Sequence, residues 1–360
     1  MANRAAWLIR DHGAIGTPQL EELPLKPLSN GYVRIAMRSM GLNHLDLWTT
    51  QGLTGIKLPL PIIPGSDGSG VIAEIFSDQL MPFGLALGSS VMIAPGLSCG
   101  LCSACHAGND MLCKSYKVMG HMTNGTATNV VDVPIENMLP IPAGWTFDEA
   151  AAFPLVFLTA WEMLVEKAQL LYGETVLIWG GGSGVGTAAI QLVKMLGGKS
   201  IVVVRDDLKA VKCWDLGATH VLNQNRDNIP ERIKDLTGNN GVDIVFEHTG
   251  PATWATSMMA CRRGGRIVTC GSTTGPDISL NLRSLFARQI TIHGSYMGKR
   301  SNFFKLLTCL ESNGTNQPFR PIVDKIFDFK DYPAAQVYLH TGQHFGKVIC
   351  RVTNPTVINY

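Results

Sequence analysis

The sequence predicts an α/β protein with two domains, one β-rich and one built on a doubly wound parallel sheet. The chain has 360 residues, which is enough for two hydrophobic cores. Short apolar runs between turn residues fill residues 1–150. From about residue 173, strand patterns alternate with helix patterns, which favours a parallel sheet in that part of the chain.

The first zone, residues 1–150, is rich in glycine and proline and contains several short apolar runs. Examples are residues 32–37 (YVRIAM), 70–75 (GVIAEI) and 90–95 (SVMIAP). Runs of this length between turn residues are typical of strands. A similar run at 346–352 (GKVICRV) predicts a late strand that returns to pair with the first domain.

The second zone alternates strand and helix patterns. Helices between successive strands require crossover connections, so the strands are expected to be parallel. The predicted order is strand 175–179, helix 184–198, strand 201–204, helix 207–218, strand 220–222, helix 228–238, strand 242–248, helix 252–265, strand 266–271 and strand 290–295.

Charge and hydropathy exclude several function classes. The chain has 30 Lys and Arg against 28 Asp and Glu, and its net charge of +2 offers no field for nucleic acid or acidic lipid. The most apolar stretch, residues 150–161, is interrupted by Pro154 and is shorter than the roughly 20 residues a bilayer requires. The charged N-terminus lacks a secretory core. We expect a soluble cytoplasmic protein with a small-molecule substrate.

A glycine-rich turn follows the first strand of the second zone and opens a helix. Small residues let backbone N–H groups approach a pyrophosphate, and the helix N-terminus adds partial positive charge. Glycine also serves tight turns for its own sake. The strand–turn–helix context nevertheless predicts a dinucleotide site, formed by Gly181, Gly182, Ser183, Gly184, Val185 and Gly186.

The end of the second strand bears on the choice between NAD and NADP. Arg205 and Asp206 follow the strand, and Lys209 lies one helical turn further on. Asp206 would accept a hydrogen bond from the ribose 2′-hydroxyl of NAD, whereas Arg205 and Lys209 would bind the 2′-phosphate of NADP. Because no acidic residue ends the strand itself, the sequence favours NADP and leaves NAD possible. Asp206 is alternatively a plain helix N-cap.

Four of the nine cysteines lie within one short segment, and their spacing offers four thiolates to a single ion. This ligand set predicts a closed, structural Zn²⁺ site, formed by Cys99, Cys102, Cys105 and Cys113. An iron–sulfur cluster is less favoured because the fourth cysteine is distant and Lys114 follows it. The remaining cysteines are expected to be small core residues, and they are Cys213, Cys261, Cys270, Cys309 and Cys350.

These motifs together resemble the medium-chain dehydrogenase/reductase superfamily, which includes zinc-type alcohol dehydrogenases and quinone oxidoreductases. The resemblance implies a GroES-like catalytic domain at 1–153 and 301–360, with the zinc lobe at 95–115. It also implies a Rossmann domain at 154–300, an active site in the cleft, and a homodimer or homotetramer. It rests on GLNHLDLW (41–48), PIIPGSDGSGVI (61–72), the four cysteines, AAFPLVFLTAWEML (151–164) and the glycine-rich turn.

Three departures from the family pattern bear on the chemistry. Zinc enzymes of the family bind a catalytic metal through Cys in the first motif, His with an adjacent Glu in the second, and Cys or Asp in the third. Here these places hold Asn43, Ser66 followed by Asp67, and Leu155. Amide and hydroxyl oxygens are poor zinc ligands and leucine is none, so a catalytic zinc is not expected. The alternative is an improvised site formed by His44, Asp46 and Asp67.

Four residues of the first two motifs are candidate site residues by this resemblance. Asn43 is the first candidate for a donor that orients the substrate, and alternatively a turn residue that bonds to backbone. Ser66 is a second donor or again a turn residue. His44 falls where the family contacts the cofactor pyrophosphate, or it is a surface histidine. Asp46 is a catalytic candidate as well, and it is expected to fix the loop by bonding to backbone or to His44 rather than to titrate in catalysis.

Three further positions follow from the resemblance. Thr159 matches the family position beside the nicotinamide, and Leu155 is expected to pack against the substrate or the ring. Tyr296 follows the strand 290–295, and core packing is its expected role.

Two loops at strand ends are expected to line the cofactor crevice, because carboxyl ends of strands do so in a doubly wound sheet. They are residues 247–250, with Thr249, and residues 270–272, with Gly271. Both are alternatively plain turns.

The sequence thus predicts an NAD(P)H-dependent oxidoreductase with a structural zinc and no catalytic metal. Without a Lewis acid, oxidation of an unactivated alcohol is harder than reduction of an activated C=C bond or a quinone-like carbonyl. The alternatives are an alcohol or ketone dehydrogenase for bulky apolar substrates, and a catalytically silent nucleotide-binding protein.

Overall fold

A computed structural model describes residues 3–312 and 316–353, which divide into two compact units. The first unit runs to Leu155 and resumes at Arg320, and the second runs from Val156 to Phe319. The second unit therefore extends beyond residue 300, where the sequence placed its end.

Seventeen strands lie in the described residues. In chain order they are β1 (Asn3–Leu8), β2 (Gln19–Pro24), β3 (Tyr32–Leu42), β4 (Asp67–Phe76), β5 (Ser90–Ile93), β6 (Gly96–Leu97), β7 (Lys117–Val118), β8 (Val130–Pro134), β9 (Met138–Pro140), β10 (Thr175–Ile178), β11 (Lys199–Val204), β12 (His220–Asn223), β13 (Val242–Glu247), β14 (Cys261–Thr269), β15 (Thr291–Gly294), β16 (Val323–Asp328) and β17 (Lys347–Arg351).

The α-helices of the same residues are α1 (His44–Gln51), α2 (Ser103–His106), α3 (Phe147–Ala152), α4 (Pro154–Trp161), α5 (Gly184–Met195), α6 (Asp207–Asp215), α7 (Ile229–Leu236), α8 (Pro251–Ala260), α9 (Leu282–Ala287), α10 (Asn302–Glu311) and α11 (Tyr332–Thr341). A π-helical turn, Glu162–Lys167, follows α4. Among the described residues no helix has the length and apolar character needed to cross a bilayer.

The first unit is organised around a mixed sheet with the strand order β16-β17-β3-β4-β5-β9, and β8 also pairs with β3. Only the β16–β17 pair is parallel in this order. The predicted late strand is confirmed as β17, which pairs antiparallel with β3. Inward residues of β3 anchor the core at alternate positions, because Val33, Ile35 and Met37 are completely buried.

The second unit is built on a six-stranded parallel sheet with the order β12-β11-β10-β13-β14-β15. This order confirms the predicted doubly wound sheet. Successive strands are added on one side of β10 as far as β12 and then on its other side from β13 onward. The switch point between β10 and β13 is where this fold binds ligands. The central strands β10 and β13 are mostly apolar and mostly buried, as is typical of parallel sheets that are covered on both faces.

One predicted helix ends earlier than expected. The pattern at 252–265 predicted a helix through Gly265, but α8 ends at Ala260 and Cys261 begins β14. Cys261 is completely buried and pairs with Val242 of the neighbouring strand. Sheet pairing and the weak helix propensity of glycine therefore prevail over the helical pattern.

Candidate active site

The N-terminus of α1 carries the first candidate residues. Asn43 follows β3 directly and caps α1, and its side chain is buried. The Asp46 carboxylate accepts hydrogen bonds from the backbone N–H of Asn43, at 2.7 Å, and from that of Gly65, at 2.8 Å. Asp46 therefore fixes the two loops through their backbone, in the way the sequence predicted for it.

A lysine that the sequence analysis did not single out completes a buried polar triad with Asn43. The Lys347 ammonium donates to Asn43 Oδ1 at 2.5 Å and to Asp67 Oδ2 at 2.9 Å. Asn43 Nδ2 donates to the same Asp67 oxygen at 3.0 Å. The Lys347 side chain is 4% exposed and that of Asp67 is completely buried. An ammonium, a carboxamide and a carboxylate are thus held together away from water.

Strand register brings the triad together. Gly41 of β3 pairs with Asp67 of β4, and the adjacent Leu42 pairs with Val348 of β17. Lys347, at the start of β17, therefore lies beside the end of β3, where Asn43 follows. Gly41 is required at this crossing because a Cβ there would lie 2.2 Å from the carbonyl oxygen of Ala151.

A catalytic zinc does not fit these residues. The oxygen of Asn43 already accepts from an ammonium. Both oxygens of Asp67 are occupied, since Oδ1 accepts from the Leu155 N–H at 2.9 Å. A metal ion here would have to displace Lys347, whose positive charge repels it.

The alternative prediction, a metal site improvised from His44, Asp46 and Asp67, is wrong. The oxygens of Asp46 and Asp67 face backbone N–H groups and the triad, and His44 packs edge-on to Trp48 with ring centroids 6.3 Å apart. Among the described residues, the four cysteines of the lobe are the one group of metal-ligating side chains close enough to share an ion. Burial raises the pKa of Asp46 to about 6, against the backbone hydrogen bonds and the Lys347 charge.

The remaining predicted site residues have different surroundings. The Ser66 hydroxyl donates to the Met119 carbonyl at 2.7 Å, so its proton is used within the fold and the turn interpretation describes it better. Thr159 is buried within α4, and Leu155 contributes its N–H to Asp67. Tyr296 is 49% exposed, so the predicted core packing of this residue is wrong.

The four predicted zinc ligands lie together in the first unit. Their sulfur atoms all fall within 4.8 Å of one another, and the Cys99–Cys113 and Cys102–Cys105 pairs are 3.5 Å apart. Four thiolates around one Zn²⁺ at about 2.3 Å place their sulfurs roughly 3.8 Å apart. The cluster therefore fits a tetrahedral zinc.

The backbone of the lobe favours the thiolate form. N–H groups of Leu101 and Cys102 donate to the Cys99 sulfur and, together with the Cys113 thiol, lower its pKa to about 6. Zinc binds the thiolate, so these donors prepare one ligand for the metal. The short helix α2 begins directly after Cys102 and carries Cys105 on its first turn.

The glycine-rich turn joins β10 to α5 in the second unit. Ser183 caps α5 and accepts from the Gly186 N–H at 3.0 Å. The N–H groups of Gly184 and Val185 head the helix, where they have no intrahelical partner. A Cβ at Gly181 would lie 2.1 Å from Val202, and one at Gly186 would lie 2.4 Å from the Gly180 carbonyl oxygen. The turn is therefore packed too closely for larger side chains and presents backbone donors.

At the end of β11, Asp206 is the N-cap of α6 and accepts from the Lys209 N–H at 2.8 Å. Asp206 is therefore an N-cap, as the alternative interpretation predicted, and it uses one of its two carboxylate oxygens for this role. Arg205 is exposed beside it, and its backbone carbonyl accepts from Asn225. Arg205 has its guanidinium available for an anionic ligand.

The loop at 247–250 is held by a completely buried carboxylate. Glu247 accepts from the N–H groups of Thr249 and Gly250 and from the hydroxyls of Thr253 and Ser257. These four donors satisfy the charge and fix the loop at the carboxyl end of β13.

The neighbouring loops at this edge are also tied together. The His248 ring contacts the Trp179 carbonyl at 2.8 Å, beside Gly180 of the glycine-rich turn. Burial lowers the pKa of His248. Gly271 accepts from the Thr269 hydroxyl at 3.2 Å. The His248 contacts place the loop 247–250 beside the glycine-rich turn, and a Cβ at Gly271 would lie 3.2 Å from the His248 carbonyl oxygen, so the loop 270–272 lies beside the loop 247–250.

Sequence reasoning missed Lys347 and the role of Glu247. Lys347 belongs to the predicted strand 346–352, and nothing local marks its contact with Asn43, 304 residues away. A lysine at the start of an otherwise apolar strand was the available signal, because a charge entering a core needs a partner.

Two domain families match the chain. The family described as alcohol dehydrogenase GroES-like domain matches residues 29–143, and the one described as zinc-binding dehydrogenase matches residues 184–312. The crotonyl-CoA carboxylase/reductase of Cereibacter sphaeroides is 27% identical over 373 aligned positions, which cover 94% of this chain and 85% of that protein.

Solved structures are similar over almost the whole chain. An NAD-dependent alcohol dehydrogenase is 35% identical with a TM-score of 0.90, covering 97% of this chain and 99% of that one. The 2-octenoyl-CoA carboxylase reductase CinF, solved with NADP and 2-octenoyl-CoA, is 25% identical with a TM-score of 0.86, covering 99% and 90%.

A GroES-like unit and a parallel doubly wound unit with a glycine-rich turn together define an NAD(P)-dependent oxidoreductase. The chain belongs to the medium-chain dehydrogenase/reductase superfamily, among its zinc-type alcohol dehydrogenase-like members.

Proposed function

We propose that this protein uses NADPH to reduce a C=C bond conjugated to a carbonyl group, or a quinone-like carbonyl, without a catalytic metal. The observation that carries the proposal is the buried triad of Asn43, Asp67 and Lys347, in which the oxygens that a metal would need are engaged by an ammonium. Such an arrangement supplies hydrogen-bond donors and no Lewis acid. Reduction of an activated double bond requires only donors at the developing enolate oxygen.

Two relatives support the substrate class. The Cereibacter sphaeroides relative is a crotonyl-CoA carboxylase/reductase, and CinF was solved with 2-octenoyl-CoA. Both names describe acyl groups with a double bond next to a thioester carbonyl. We extend only the reduction of such a bond to this protein.

NADPH would supply a hydride from its reduced nicotinamide ring when bound. Residues of the second unit would hold it: the backbone of Gly184 and Val185 would donate to the pyrophosphate, and Arg205 would contact the 2′-phosphate. Because Asp206 keeps one oxygen beyond its N-cap bond, NAD remains the competing cofactor to be tested against NADP.

The cysteine lobe would hold a structural zinc. All four ligand positions of the ion would be filled by Cys99, Cys102, Cys105 and Cys113. No position would then remain for substrate, so this metal would stabilise the lobe and take no part in the reaction.

A second candidate function is oxidation or reduction of an alcohol–ketone pair. It is favoured by the NAD-dependent alcohol dehydrogenase that is 35% identical over almost the whole chain. Its chemistry would require the triad to stabilise an alkoxide directly, which is a harder task than supporting an enolate.

A panel of acceptors separates the two functions. NADPH and NADH oxidation are followed with enones, enoyl thioesters, quinones and saturated ketones, and alcohols are offered to NADP⁺ and NAD⁺. We expect turnover with the conjugated acceptors and NADPH. Turnover restricted to alcohols and saturated ketones would refute the proposal, and nucleotide binding without any turnover would support a silent protein.

A further inference from the structure

His248 is a partly exposed histidine of the second unit, and its surroundings fix which ring nitrogen carries the proton. Its Nε2 atom lies 2.8 Å from the backbone carbonyl oxygen of Trp179. A carbonyl oxygen only accepts hydrogen bonds, so Nε2 carries a hydrogen and donates it there. Burial lowers the pKa of His248, against this hydrogen bond and the charge of Glu247, so the ring is neutral at pH 7. A neutral ring has one N–H group, and Nδ1 is therefore a lone-pair acceptor.

The Nδ1 lone pair is not used within the fold. In the described ranges, 3–312 and 316–353, no N–H or O–H group of the protein contacts it. The nearest donors in the chain are engaged elsewhere, because the N–H groups of Thr249 and Gly250 donate to Glu247. The Thr273 hydroxyl donates to the His248 carbonyl oxygen at 3.1 Å. Nδ1 is thus an acceptor that is available to a ligand.

The ring has a fixed place at the start of the glycine-rich turn. A Cβ at Gly180 would lie 2.9 Å from His248 Cε1, so only glycine leaves room for the ring. Gly180 also adopts a φ of 57°, which favours glycine. Because the ring is held by its contacts with Trp179 and Gly180, little conformational entropy is lost when a ligand binds to it.

The strand order indicates which part of the dinucleotide faces His248. In a doubly wound sheet the dinucleotide lies across the carboxyl ends of the strands at the switch point, with its pyrophosphate at the N-terminus of the first helix. Three neighbouring strands have the order β11-β10-β13. Arg205 follows β11, on the side of the adenosine ribose, and the glycine-rich turn follows β10. His248 follows β13, so it lies on the side of the nicotinamide half.

We infer that Nδ1 of His248 accepts a hydrogen bond from a hydroxyl group of the nicotinamide ribose. This inference rests on the binding of NADPH in the proposed function and names a further residue of that site. A ribose hydroxyl carries a hydrogen that a neutral acceptor can bind, whereas the pyrophosphate oxygens carry none at pH 7 and have nothing to donate. The carboxamide of the nicotinamide is the other donor in this half, and the experiment separates it from the ribose.

Two truncated nucleotides and two substitutions test the role of Nδ1. 2′-Phosphoadenosine 5′-diphosphate has the pyrophosphate, and 2′-phosphoadenosine 5′-diphosphoribose adds the second ribose without the nicotinamide. His248→Gln keeps an amide N–H in place of Nε2 and has no acceptor in place of Nδ1, whereas His248→Asn puts its amide oxygen in place of Nδ1. By calorimetric titration we expect His248→Gln to raise the Kd of the diphosphoribose about three- to tenfold and to leave that of the diphosphate within about twofold. His248→Asn should keep the wild-type ratio of the two Kd values.

His220→Gln is the matched control, because His220 begins β12 at the outer edge of the same sheet. It should change neither Kd. Nitrogen-15 NMR of histidine-labelled wild type gives the same answer without any substitution, since the diphosphoribose should shift the Nδ1 resonance of His248 and the diphosphate should not.

Several outcomes would overturn the role of His248. If His248→Gln weakens both nucleotides equally, the ring acts only through the glycine-rich turn, and if it weakens neither, Nδ1 is not used. If only intact NADP⁺ is weakened, the donor is the carboxamide. An Nδ1 resonance that ignores the diphosphoribose also contradicts the inference. A wild type that gives the expected Kd values but reduces no conjugated acceptor overturns the proposed function and leaves His248 assigned to the ribose.

Discussion

At the scale of single residues, Asp67 has the most exacting surroundings in the candidate site. Its two buried oxygens take hydrogen bonds from the Leu155 N–H, the Asn43 amide and the Lys347 ammonium. Each donor comes from a different segment of the first unit. Removal of the carboxylate would take a hydrogen-bond acceptor from all three donors at once and would leave the buried Lys347 ammonium without its counter-charge.

Asp67→Ala should therefore destabilise the protein severely. Loss of one partner of a buried ion pair costs about 3–5 kcal/mol, because the other charge stays buried without compensation. Chemical denaturation followed by circular dichroism measures the change. The control is Glu21→Ala, which removes a surface partner of Arg10 and should change stability far less. Equal effects of the two variants would contradict the burial argument.

Arg205 is the residue on which the choice of NADP depends. It is exposed at the end of β11, where residues contact the adenosine ribose of the cofactor in this type of sheet. Arg205→Ala should raise the Kd of NADPH at least tenfold more than the Kd of NADH, since only NADPH carries the 2′-phosphate.

Quenching of protein fluorescence by each nucleotide measures the two affinities for Arg205→Ala. Arg232→Ala is the control, because Arg232 is a half-exposed arginine on α7 that pairs with Asp235. Equal loss of affinity for NADPH and NADH in Arg205→Ala would contradict the phosphate assignment.

At the scale of elements, local patterns predicted the second unit well. Strands of β-branched residues and helices with glycine stops are local features, and the order of strand and helix sets a parallel sheet. The exception is the end of α8, where Cys261 joins β14 because pairing with Val242 outweighs the helical pattern. That competition is tertiary, so no window of sequence shows it.

The site was predictable only in part for the same reason. The cysteine spacing and the glycine-rich turn are local, and the structure brings each set together. The triad depends on β17 pairing with β3, and its lysine lies 304 residues from Asn43. Ser66 was a plausible donor by position, but its proton goes to the Met119 carbonyl.

The cysteine lobe is an element whose order should depend on metal. Its helix α2 has four residues and its strands β6 and β7 have two each, which is too little to fold alone. Cys102→Ser should lower the zinc content and the yield of folded protein, and surviving molecules should keep their kcat. Elemental analysis together with steady-state kinetics checks this. Cys309→Ser, outside the lobe, is the control, and a selective loss of kcat with zinc retained would contradict the structural role.

At the scale of the whole molecule, the net charge at pH 7 is only +2, so overall charge repulsion is small. The change of folding stability towards acid pH therefore depends on local ion pairs. Glu166 on the π-helical turn pairs with Lys299 and Lys305. Burial works against its carboxylate, but the hydrogen bonds and charges of the two lysines outweigh it and hold the pKa of Glu166 below its usual range. This stabilisation is present above the pKa of an unfolded glutamate and is lost as the pH falls through the lower folded value.

Glu166→Gln should therefore cost about 1 kcal/mol at pH 7, a value reduced by partial exposure of the pair. The difference from wild type should shrink steadily as the pH is lowered below 4. Urea titrations at a series of pH values measure it. Glu311→Gln, an exposed change on α10, should show no such trend, and a difference that grows towards acid pH would contradict the sign of the shift.

The most direct test combines metal content and turnover in a single sample. The purified protein is dialysed against a mild chelator, its zinc is quantified, and NADPH-dependent reduction of an enone is then measured. We predict one zinc per chain and undiminished turnover, because the four thiolates retain their ion and the proposed reaction requires no second metal. A second equivalent of metal whose removal abolishes reduction would contradict a reaction without a catalytic metal.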